Sequence, residues 1–308
     1  MARITKVKTE NYEEWKALRS RYIGGSDAAA VVGLNAYSSP YSLWAEKTGR
    51  VPGFEGNLAT EVGTYLEEFV AQKFADETGK KVRRANASFF NSDYPWAIAN
   101  IDREIVGEDA GLEIKTTDSL NLSKFRGGEY PTNYYAQMVH YMAITGKQRW
   151  YLAVLIGNKD FRWFVLDRNE AEIDALMNAE KEFWRLVEED VPPEIDGTQA
   201  TTAAVKAIYT DSEESTVDLT GYNATVRQYI ALSKQIKELE KQLAEAANRI
   251  KAFMGESEFG ESADFQVSWK PQIRRTFDSK KFAAEHWDMD LSGYYKETKS
   301  RTFKVSEL

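Results

Sequence analysis

The sequence of 308 residues contains no cysteine. This absence excludes disulfide bonds, thiolate zinc sites and iron–sulfur clusters, because each of them needs cysteine sulfur. Histidine is scarce as well: only His140 and His286 occur, so a metal site built from several histidines is excluded. A metal ion bound by this chain would therefore have mainly oxygen ligands, which suit a hard cation such as Mg²⁺.

Long apolar segments are also missing. No run of about 18 apolar residues, the length needed to cross a membrane, occurs in the chain. The start, MARITKVKTENYEEW, lacks the apolar segment of a secretory signal. We therefore expect a protein without membrane spans that is not exported. The net charge of −8 argues against a basic surface that coats DNA, but it allows a local basic groove or a metal-mediated contact with phosphate.

Length and breaks in the chain predict its organisation. The chain exceeds one typical domain, and its hydrophobic content of 43% is ample for a core. The pair Pro192-Pro193 marks a boundary, and the residues that follow have the character of a linker. We predict a core over residues 1–195, a linker over 196–220 and a C-terminal region over 221–308.

The C-terminal region begins with a predicted long helix over residues 222–253. Its apolar residues alternate spacings of three and four, which is a heptad seam over about three and a half heptads. This pattern predicts either a coiled coil between chains or an arm folded back within one chain. The sequence of the tail that follows this helix indicates short strands around a short helix. The residues of the seam are Tyr229, Leu232, Ile236, Leu239, Leu243, Ala246, Ile250 and Phe253.

The stretch ANIDREIVGEDAGLEIK predicts a β-hairpin, because alternating segments flank the turn residues GEDAG. Residues two apart in a strand share a face, so Glu113 and Lys115 point to one side. If the loop holds an even number of residues, Asp102 is expected opposite Lys115 and Glu104 opposite Glu113. Packed carboxylates repel each other unless a cation lies between them, which favours a magnesium site. A solvated hairpin face with a cross-strand ion pair explains the same short pattern.

Two predicted helices contribute further polar side chains. In the helix over residues 61–78, Glu67 lies at the edge of the apolar stripe, whereas Glu68 points to solvent. A carboxylate at the rim of a buried face needs a partner. In the helix over residues 132–145, Gln137 lies beside a face with two tyrosines, either as a functional amide or simply packed between them.

A third candidate site precedes the predicted helix that begins after Gly24-Gly25. Arg21, Ser26 and the N–H groups at the start of that helix have the chemistry of an anion site. Two ordinary capped helices explain the same residues.

The order of these elements predicts an α/β fold with a mixed sheet, and here the chain resembles a known family. The segment IGGSDAAAVVGLNAYSSPYSLWAEKTG is similar to the opening of YqaJ-like phage recombination nucleases, relatives of phage lambda exonuclease in the PD-(D/E)xK nuclease superfamily. The segments GTYLE, NID, LEIK and YYAQMVHY resemble the helix, metal-site and glutamine motifs of that family, in the same order. The resemblance covers about residues 20–190.

The resemblance implies a PD-(D/E)xK nuclease core, with a central mixed β-sheet flanked by helices, followed by the long helix and a small β-containing tail. Ile101 stands where the family commonly has proline before the metal-binding aspartate. The implied ligands of Mg²⁺, for which Mn²⁺ can substitute, are Glu67, Asp102, Glu113 and the Ile114 carbonyl. The resemblance also implies that Lys115 orients or polarises the attacking water, that Gln137 positions this lysine or the water, and that Arg21 and Ser26 hold a 5′-phosphate.

The implied activity is metal-dependent 5′-to-3′ digestion of one strand of linear double-stranded DNA, with release of 5′-mononucleotides. The remaining 3′ overhang would serve phage recombination through a RecT-type single-strand annealing protein. The family also implies binding of DNA ends, a homo-oligomer such as the ring trimer of lambda exonuclease, and the cytoplasm of a bacterium that carries the phage or prophage.

Two other functions compete with this activity. One is a restriction-type endonuclease on the same core. The other is a non-catalytic scaffold, built around the heptad helix, that binds DNA ends or a partner. The intact set of Glu67, Asp102, Glu113 and Lys115 argues against the scaffold, since binding alone does not require all four.

Overall fold

The computed structural model describes residues 3–306, which divide into two compact units, one up to Tyr209 and the other from Thr210. The helices of the first unit are α1 (Tyr12–Ser20), α2 (Gly25–Val31), α3 (Pro40–Lys47), α4 (Leu58–Thr78), α5 (Thr132–Thr145), α6 (Glu170–Glu188) and α7 (Gln199–Ile208). Its strands are β1 (Ile4–Val7), β2 (Ile23–Gly24), β3 (Val82–Arg84), β4 (Ser88–Asn91), β5 (Ala97–Asn100), β6 (Arg103–Ile105), β7 (Ala110–Thr117), β8 (Arg149–Ile156) and β9 (Asp160–Asp167).

The second unit contains the long helix α8 (Asn223–Met254), the antiparallel pair β10 (Phe259–Glu261) and β11 (Gln266–Ser268), and the short helix α9 (Ser279–Glu285). The long helix and a small β-containing tail are therefore present, as expected from the sequence. Within residues 3–306, no helix combines the length and the apolar character that a membrane span requires.

Two mixed sheets form the body of the first unit. The larger sheet has the order β3-β6-β7-β8-β9, in which β7 and β8 run parallel and the other neighbours run antiparallel. The smaller sheet has the order β1-β4-β5-β2, with a parallel pair between β2 and β5. Helices cover both faces of the larger sheet, which confirms the predicted α/β class.

Strand β8 reads RWYLAVLI and is apolar on both faces because both are covered. Trp150 and Leu152 belong to the core cluster on the side of α5, whereas Tyr151 and Ala153 belong to the cluster on the side of α4. Its parallel neighbour β7 has only one apolar face. Ile114 joins the α4 cluster, and the alternate residues of β7 face α5.

The two sheets meet at a break in the predicted hairpin. The alternating residues before the turn do not form one strand: β5 pairs within the smaller sheet, β6 pairs within the larger one, and Ile101 and Asp102 lie between them. Apolar and polar residues alternate across this break in the sequence, because the chain is buried in β5 before it and in β6 after it. The break places Asp102 outside either ladder, so that its carboxylate is available for other contacts.

The register of the hairpin also differs from the predicted one. Glu104 is paired with Gly111, and the prediction that it lies opposite Glu113 is wrong. If this pairing is extended by one residue beyond Arg103, Asp102 lies beside Glu113 rather than opposite Lys115 as predicted. The cause is an earlier turn than the predicted one. β6 ends at Ile105, and the N–H of the next residue, Val106, donates to the carbonyl of Lys81, just before β3.

Part of the predicted linker is a packed helix. α7 lies within residues 196–220, and Thr201 on it is buried, with its hydroxyl 2.7 Å from that of Ser39. Ala204 joins a core cluster with Trp44 and Phe183. The packed residues of α7 follow helical spacing of three and four, so the sequence carried a signal that the linker prediction overlooked. These residues are Thr201, Ala204, Val205 and Ile208.

A buried charge pair holds α5 in place. His140 on α5 and Glu180 on α6 are both fully buried, and Nδ1 of the histidine lies 2.8 Å from Oε1 of the glutamate. The other ring nitrogen donates to the carbonyl of Ile98 on β5 at 3.0 Å. Burial alone would lower the pKa of His140, but the Glu180 carboxylate outweighs it and raises the pKa. α5 is therefore fixed to both α6 and the smaller sheet.

Close packing at Gly111 fixes the register between β7 and β8, and replacement of this glycine tests it. A Cβ atom there would lie 2.4 Å from Cη2 of Trp150, so we expect Gly111→Ala to lower the free energy of unfolding by about 1–3 kcal/mol. Urea denaturation measures the loss. Gly197→Ala is the control, because no described heavy atom lies within 4 Å of the added Cβ. Equal stability of the two variants would contradict the packing.

Candidate active site

Asp102 replaces a missing ladder partner of β7. Beyond Glu113, β7 has no further β6 residue beside it, and the backbone N–H of Ile114 donates instead to Oδ2 of Asp102 at 2.7 Å. This bond fixes the aspartate directly alongside the Glu-x-Lys segment of the strand. The break between the two sheets thus positions the first carboxylate of the site.

Glu113 is 2% exposed and is held by its first carboxylate oxygen. Oε1 lies 2.6 Å from Nζ of Lys115 and accepts a bond from Nε2 of Gln137 at 2.7 Å. Oε2 is buried and has no hydrogen-bond partner among the described residues. A buried carboxylate oxygen without a partner is costly, so this atom is a candidate ligand for a cation.

The charges of the site are strongly coupled. Burial and the neighbouring Glu113 raise the pKa of Asp102 well above its ordinary value. Burial alone would lower the pKa of Lys115, but the carboxylates of Glu113 and Asp102 outweigh it and raise that pKa. Lys115 is therefore a firmly charged ammonium. One ammonium does not satisfy two adjacent carboxylates, of which Glu113 is buried and Asp102 is half-buried.

Gln137 links this cluster to the start of α2. Its Nε2 also donates to the hydroxyl of Tyr141, 2.9 Å away. The ring of Tyr141 packs on Gly25 so closely that a Cβ there would lie 2.4 Å from Cε1. Only glycine allows this approach, which brings Ser26 next to the carboxylate cluster.

A cavity of about 220 Å³ joins these groups. The predicted phosphate ligand Ser26 lines it, but Arg21 does not: Arg21 is exposed and follows α1 as its C-terminal cap. The structure instead brings Arg19 to this position, where its guanidinium donates to Oγ of Ser26. The cavity is lined by Trp15, Arg19, Gly24, Gly25, Ser26, Asn100, Asp102, Glu113, Lys115, Gln137 and Tyr141.

Arg19 is favourably placed to bind an anion. Its guanidinium lies 5.5 Å from the centroid of the Trp15 ring, four residues earlier on α1, and the indole N–H donates to Asn100 at 3.1 Å. Within residues 3–306, Arg19 forms no ion pair with a carboxylate inside 4.0 Å. Its neighbours therefore orient the cation, and Asp27 and Glu46, which interact with its charge, lie beyond ion-pair distance.

Glu67 is the predicted ligand that lies outside the cavity of Glu113 and Lys115. Together with Asp102 it lines an adjoining cavity of about 420 Å³, and its carboxylate pairs with the buried guanidinium of Arg103. Arg103 also donates to the carbonyl of Asp102 at 2.8 Å and to Glu68 at 3.1 Å. Glu67 is less exposed than Glu68, as predicted, with side-chain exposures of 29% and 67%.

The donor set nevertheless fits a hard cation. Among the described residues, no three carboxylates or histidines lie close enough together to hold a metal ion. Glu67 forms an ion pair with Arg103 instead. Asp102 and Glu113 line the same cavity, and Oε2 of Glu113 lacks a partner. The N–H of Ile114, whose carbonyl is the fourth predicted ligand, is occupied by Asp102. Oxygen donors of this kind suit Mg²⁺.

Sequence reasoning missed several residues of the site. Trp15 and Arg19 are four apart, as are Gln137 and Tyr141, so helical spacing could have indicated both pairs. For Arg103 the sequence gives no signal beyond its position next to Asp102. Its ion pair with Glu67 depends on where α4 packs.

The carboxylate repulsion predicts a pH dependence of stability. Because the pKa of Asp102 is raised above 3.8, the protein without metal should lose stability as pH rises from about 4 through the raised pKa. Asp102→Asn keeps an acceptor for the N–H of Ile114 and removes the charge. In EDTA, we expect the melting temperature of this variant to exceed that of the wild type at pH 7 and to approach it near pH 4. A wild type that melts higher at pH 7 would contradict the repulsion.

Comparisons with known proteins extend this description. The model of the YqaJ-like viral recombinase domain matches residues 14–148. The uncharacterized protein YqaJ of Bacillus subtilis (strain 168) is 38% identical to this chain over 311 residues, which cover 99% of this chain and 97% of that protein. The similarity therefore includes the second unit.

Solved structures resemble part of this chain. The structure of LHK-Exo in complex with dAMP has a TM-score of 0.50 at 22% identity, over 58% of this chain and 94% of LHK-Exo. A further structure of LHK-Exo, an alkaline exonuclease from Laribacter hongkongensis, has a TM-score of 0.49 at the same identity and coverage. The expected arrangement of a mixed sheet flanked by helices is therefore shared with LHK-Exo. With this fold and a relative similar over almost the full length, the chain belongs to the YqaJ-like viral recombinase family.

Proposed function

We propose that this protein is a metal-dependent exonuclease that digests one strand of linear double-stranded DNA from its 5′ end and leaves a 3′ overhang. One observation carries the proposal: a single small cavity is lined by the half-buried Asp102 and the buried Glu113, by Lys115, and by the cation of Arg19. Family membership and the exonuclease LHK-Exo, which shares the fold, support a nuclease.

We assign Asp102 and Glu113 as the principal ligands of Mg²⁺, with Glu67 and the Ile114 carbonyl completing the set and Mn²⁺ as a substitute. When bound, the ion neutralises the phosphodiester and lowers the pKa of a bound water. Gln137 and Lys115 both hold Oε1 of Glu113, which would leave Oε2 available to bind the ion.

Lys115 has a second task in this proposal. Its raised pKa keeps the ammonium charged, so it can orient the attacking water as a donor and stabilise negative charge on the phosphate. Gln137 fixes the position of this lysine indirectly, through their shared acceptor on Glu113.

End recognition falls to Arg19 and Ser26. A 5′-phosphate carries up to two charges, and a guanidinium offers a planar fork that matches its oxygens. Arg19 has the required free charge, and the hydroxyl of Ser26 lies beside it. Because both residues line the cavity of the catalytic groups, a phosphate bound here would leave the first phosphodiester close to Lys115.

The expected biological setting follows from the same activity. A 3′ overhang is the substrate of a RecT-type single-strand annealing protein, which we propose as the partner. We propose a homo-oligomer acting on DNA ends in the cytoplasm of a bacterium that carries a phage or prophage.

Substitutions at the catalytic groups test the activity. With Mg²⁺ and a 5′-labelled linear duplex, we expect Glu113→Gln and Lys115→Met each to reduce the rate of mononucleotide release by at least about 100-fold, because each removes a charge that the reaction needs. Glu68→Gln is the control and should retain most activity, since this residue is exposed and lines neither cavity. Wild-type rates in either catalytic variant would refute the assignment, and cleavage of covalently closed circles would favour an endonuclease.

A pair of arginine variants tests end recognition. Wild type should digest a 5′-phosphorylated duplex faster than a 5′-hydroxyl duplex, and Arg19→Ala should erase most of this preference because it removes the unpaired cation. Arg21→Ala is a matched control two residues away and should keep the preference. Initial rates on the two substrates measure the effect. If Arg21→Ala loses the preference and Arg19→Ala keeps it, the assignment from the cavity is wrong.

A further inference from the structure

The heptad seam of α8 is exposed along its whole length. The helix has 32 residues, and only Met254 at its end is buried. A helix of this kind owes most of its stability to packing of its apolar face. Most of the seam side chains stay exposed here, and the ring of Tyr229 contacts that of Phe303 with the centroids 5.3 Å apart. The large seam side chains that lie exposed are Tyr229, Leu232, Ile236, Leu239, Leu243, Ile250 and Phe253.

We propose that this seam is a self-association surface on which α8 of a second copy packs as a parallel, two-stranded coiled coil. In heptad notation, residues 229, 236, 243 and 250 occupy position a, and 232, 239, 246 and 253 occupy position d. Isoleucine at a with leucine at d favours two parallel strands. Ile236 and Ile250 stand at a, and Leu232 and Leu239 stand at d.

The residues that flank the seam fit a second copy in this orientation. In a parallel pair, each g residue of one helix faces the e residue five positions later on the other. No such pair brings like charges together. An antiparallel pair in full overlap, with Tyr229 facing Phe253, would bring Glu240 close to its own copy. The facing g and e residues in the parallel pair are Gln228 and Ser233, Gln235 and Glu240, Gln242 and Ala247, and Arg249 and Met254.

Charge is concentrated on the opposite face of the helix. A solvated outer face beside an apolar, nearly uncharged seam is the arrangement that a two-stranded coiled coil requires. The charged residues at the outer positions b, c and f are Arg227, Lys234, Lys237, Glu238, Lys241, Glu245 and Lys251.

This surface is separate from the proposed chemistry. α8 belongs to the second unit, and every residue assigned to metal, water or phosphate lies in the first. Pairing through α8 would join two nuclease units without using any residue of the site. The proposal therefore stands or falls independently of the exonuclease activity.

The absence of cysteine gives a direct test in the full-length protein. Single variants Ile236→Cys and Leu239→Cys put a thiol in the seam, and Lys234→Cys and Lys241→Cys put one on the outer face of the same helix. In a parallel, in-register pair, each seam thiol meets its own copy. On mild oxidation we expect dimers from the seam variants at least about tenfold faster than from the outer variants, because disulfides need close Cβ atoms.

A second substitution tests whether the apolar seam causes the cross-link. Leu243→Asp added to Ile236→Cys should suppress dimer formation, whereas Lys241→Asp added to the same variant should not. Circular dichroism verifies that α8 stays helical. Equal cross-linking of seam and outer thiols, or no cross-linking at either, overturns the proposal. Cross-linking that needs a mixture of Ile236→Cys with Ala246→Cys chains overturns the parallel arrangement, because these positions meet only in an antiparallel pair.

Discussion

The close approach of two carboxylates, the buried Glu113 and the half-buried Asp102, is the constraint on which the rest of the structure depends. Removal of a carboxylate from water costs several kcal/mol even after relaxation, and a neighbouring like charge adds to that cost. The chain offsets it from three directions: the ammonium of Lys115, the amide of Gln137 and the backbone N–H of Ile114. Oε2 of Glu113 stays without a described partner, and this unmet requirement is what links the fold to metal-dependent chemistry.

The elements around the site serve to hold these contacts. β7 can present Glu113 and Lys115 on one face because its other face packs in the apolar core beneath α4. α5 carries Gln137 and is fixed by the buried pair of His140 and Glu180. Through Tyr141, α5 also contacts Gly25, which brings the start of α2 to the same cavity. One helix thus connects the catalytic acids with the residues proposed to recognise the DNA end, so both depend on a single set of packed contacts.

The sequence predicted those parts of the site that depend on local periodicity. Alternation in β7 placed Glu113 and Lys115 on one face, and α5 begins and ends at the predicted residues. The break at Asp102 was not predictable from alternation, because the chain passes from one sheet to the other while remaining buried. The same limit applies to tertiary partners. Arg21 was predicted from its proximity to the Gly-Gly turn, whereas helical phase selects Arg19, and only the packing of α4 brings Arg103 to Glu67.

The central claim is that the buried Glu113 of β7 and Asp102 at the adjacent break form a metal site. Anomalous diffraction from crystals grown with Mn²⁺ tests it most directly. The account predicts an anomalous peak in the smaller cavity, within about 2.5 Å of carboxylate oxygens of both Asp102 and Glu113, and loss of that peak in Glu113→Gln crystals. A peak confined to Glu67 and Glu68, or no peak between Asp102 and Glu113 in protein that Mn²⁺ activates, would contradict it.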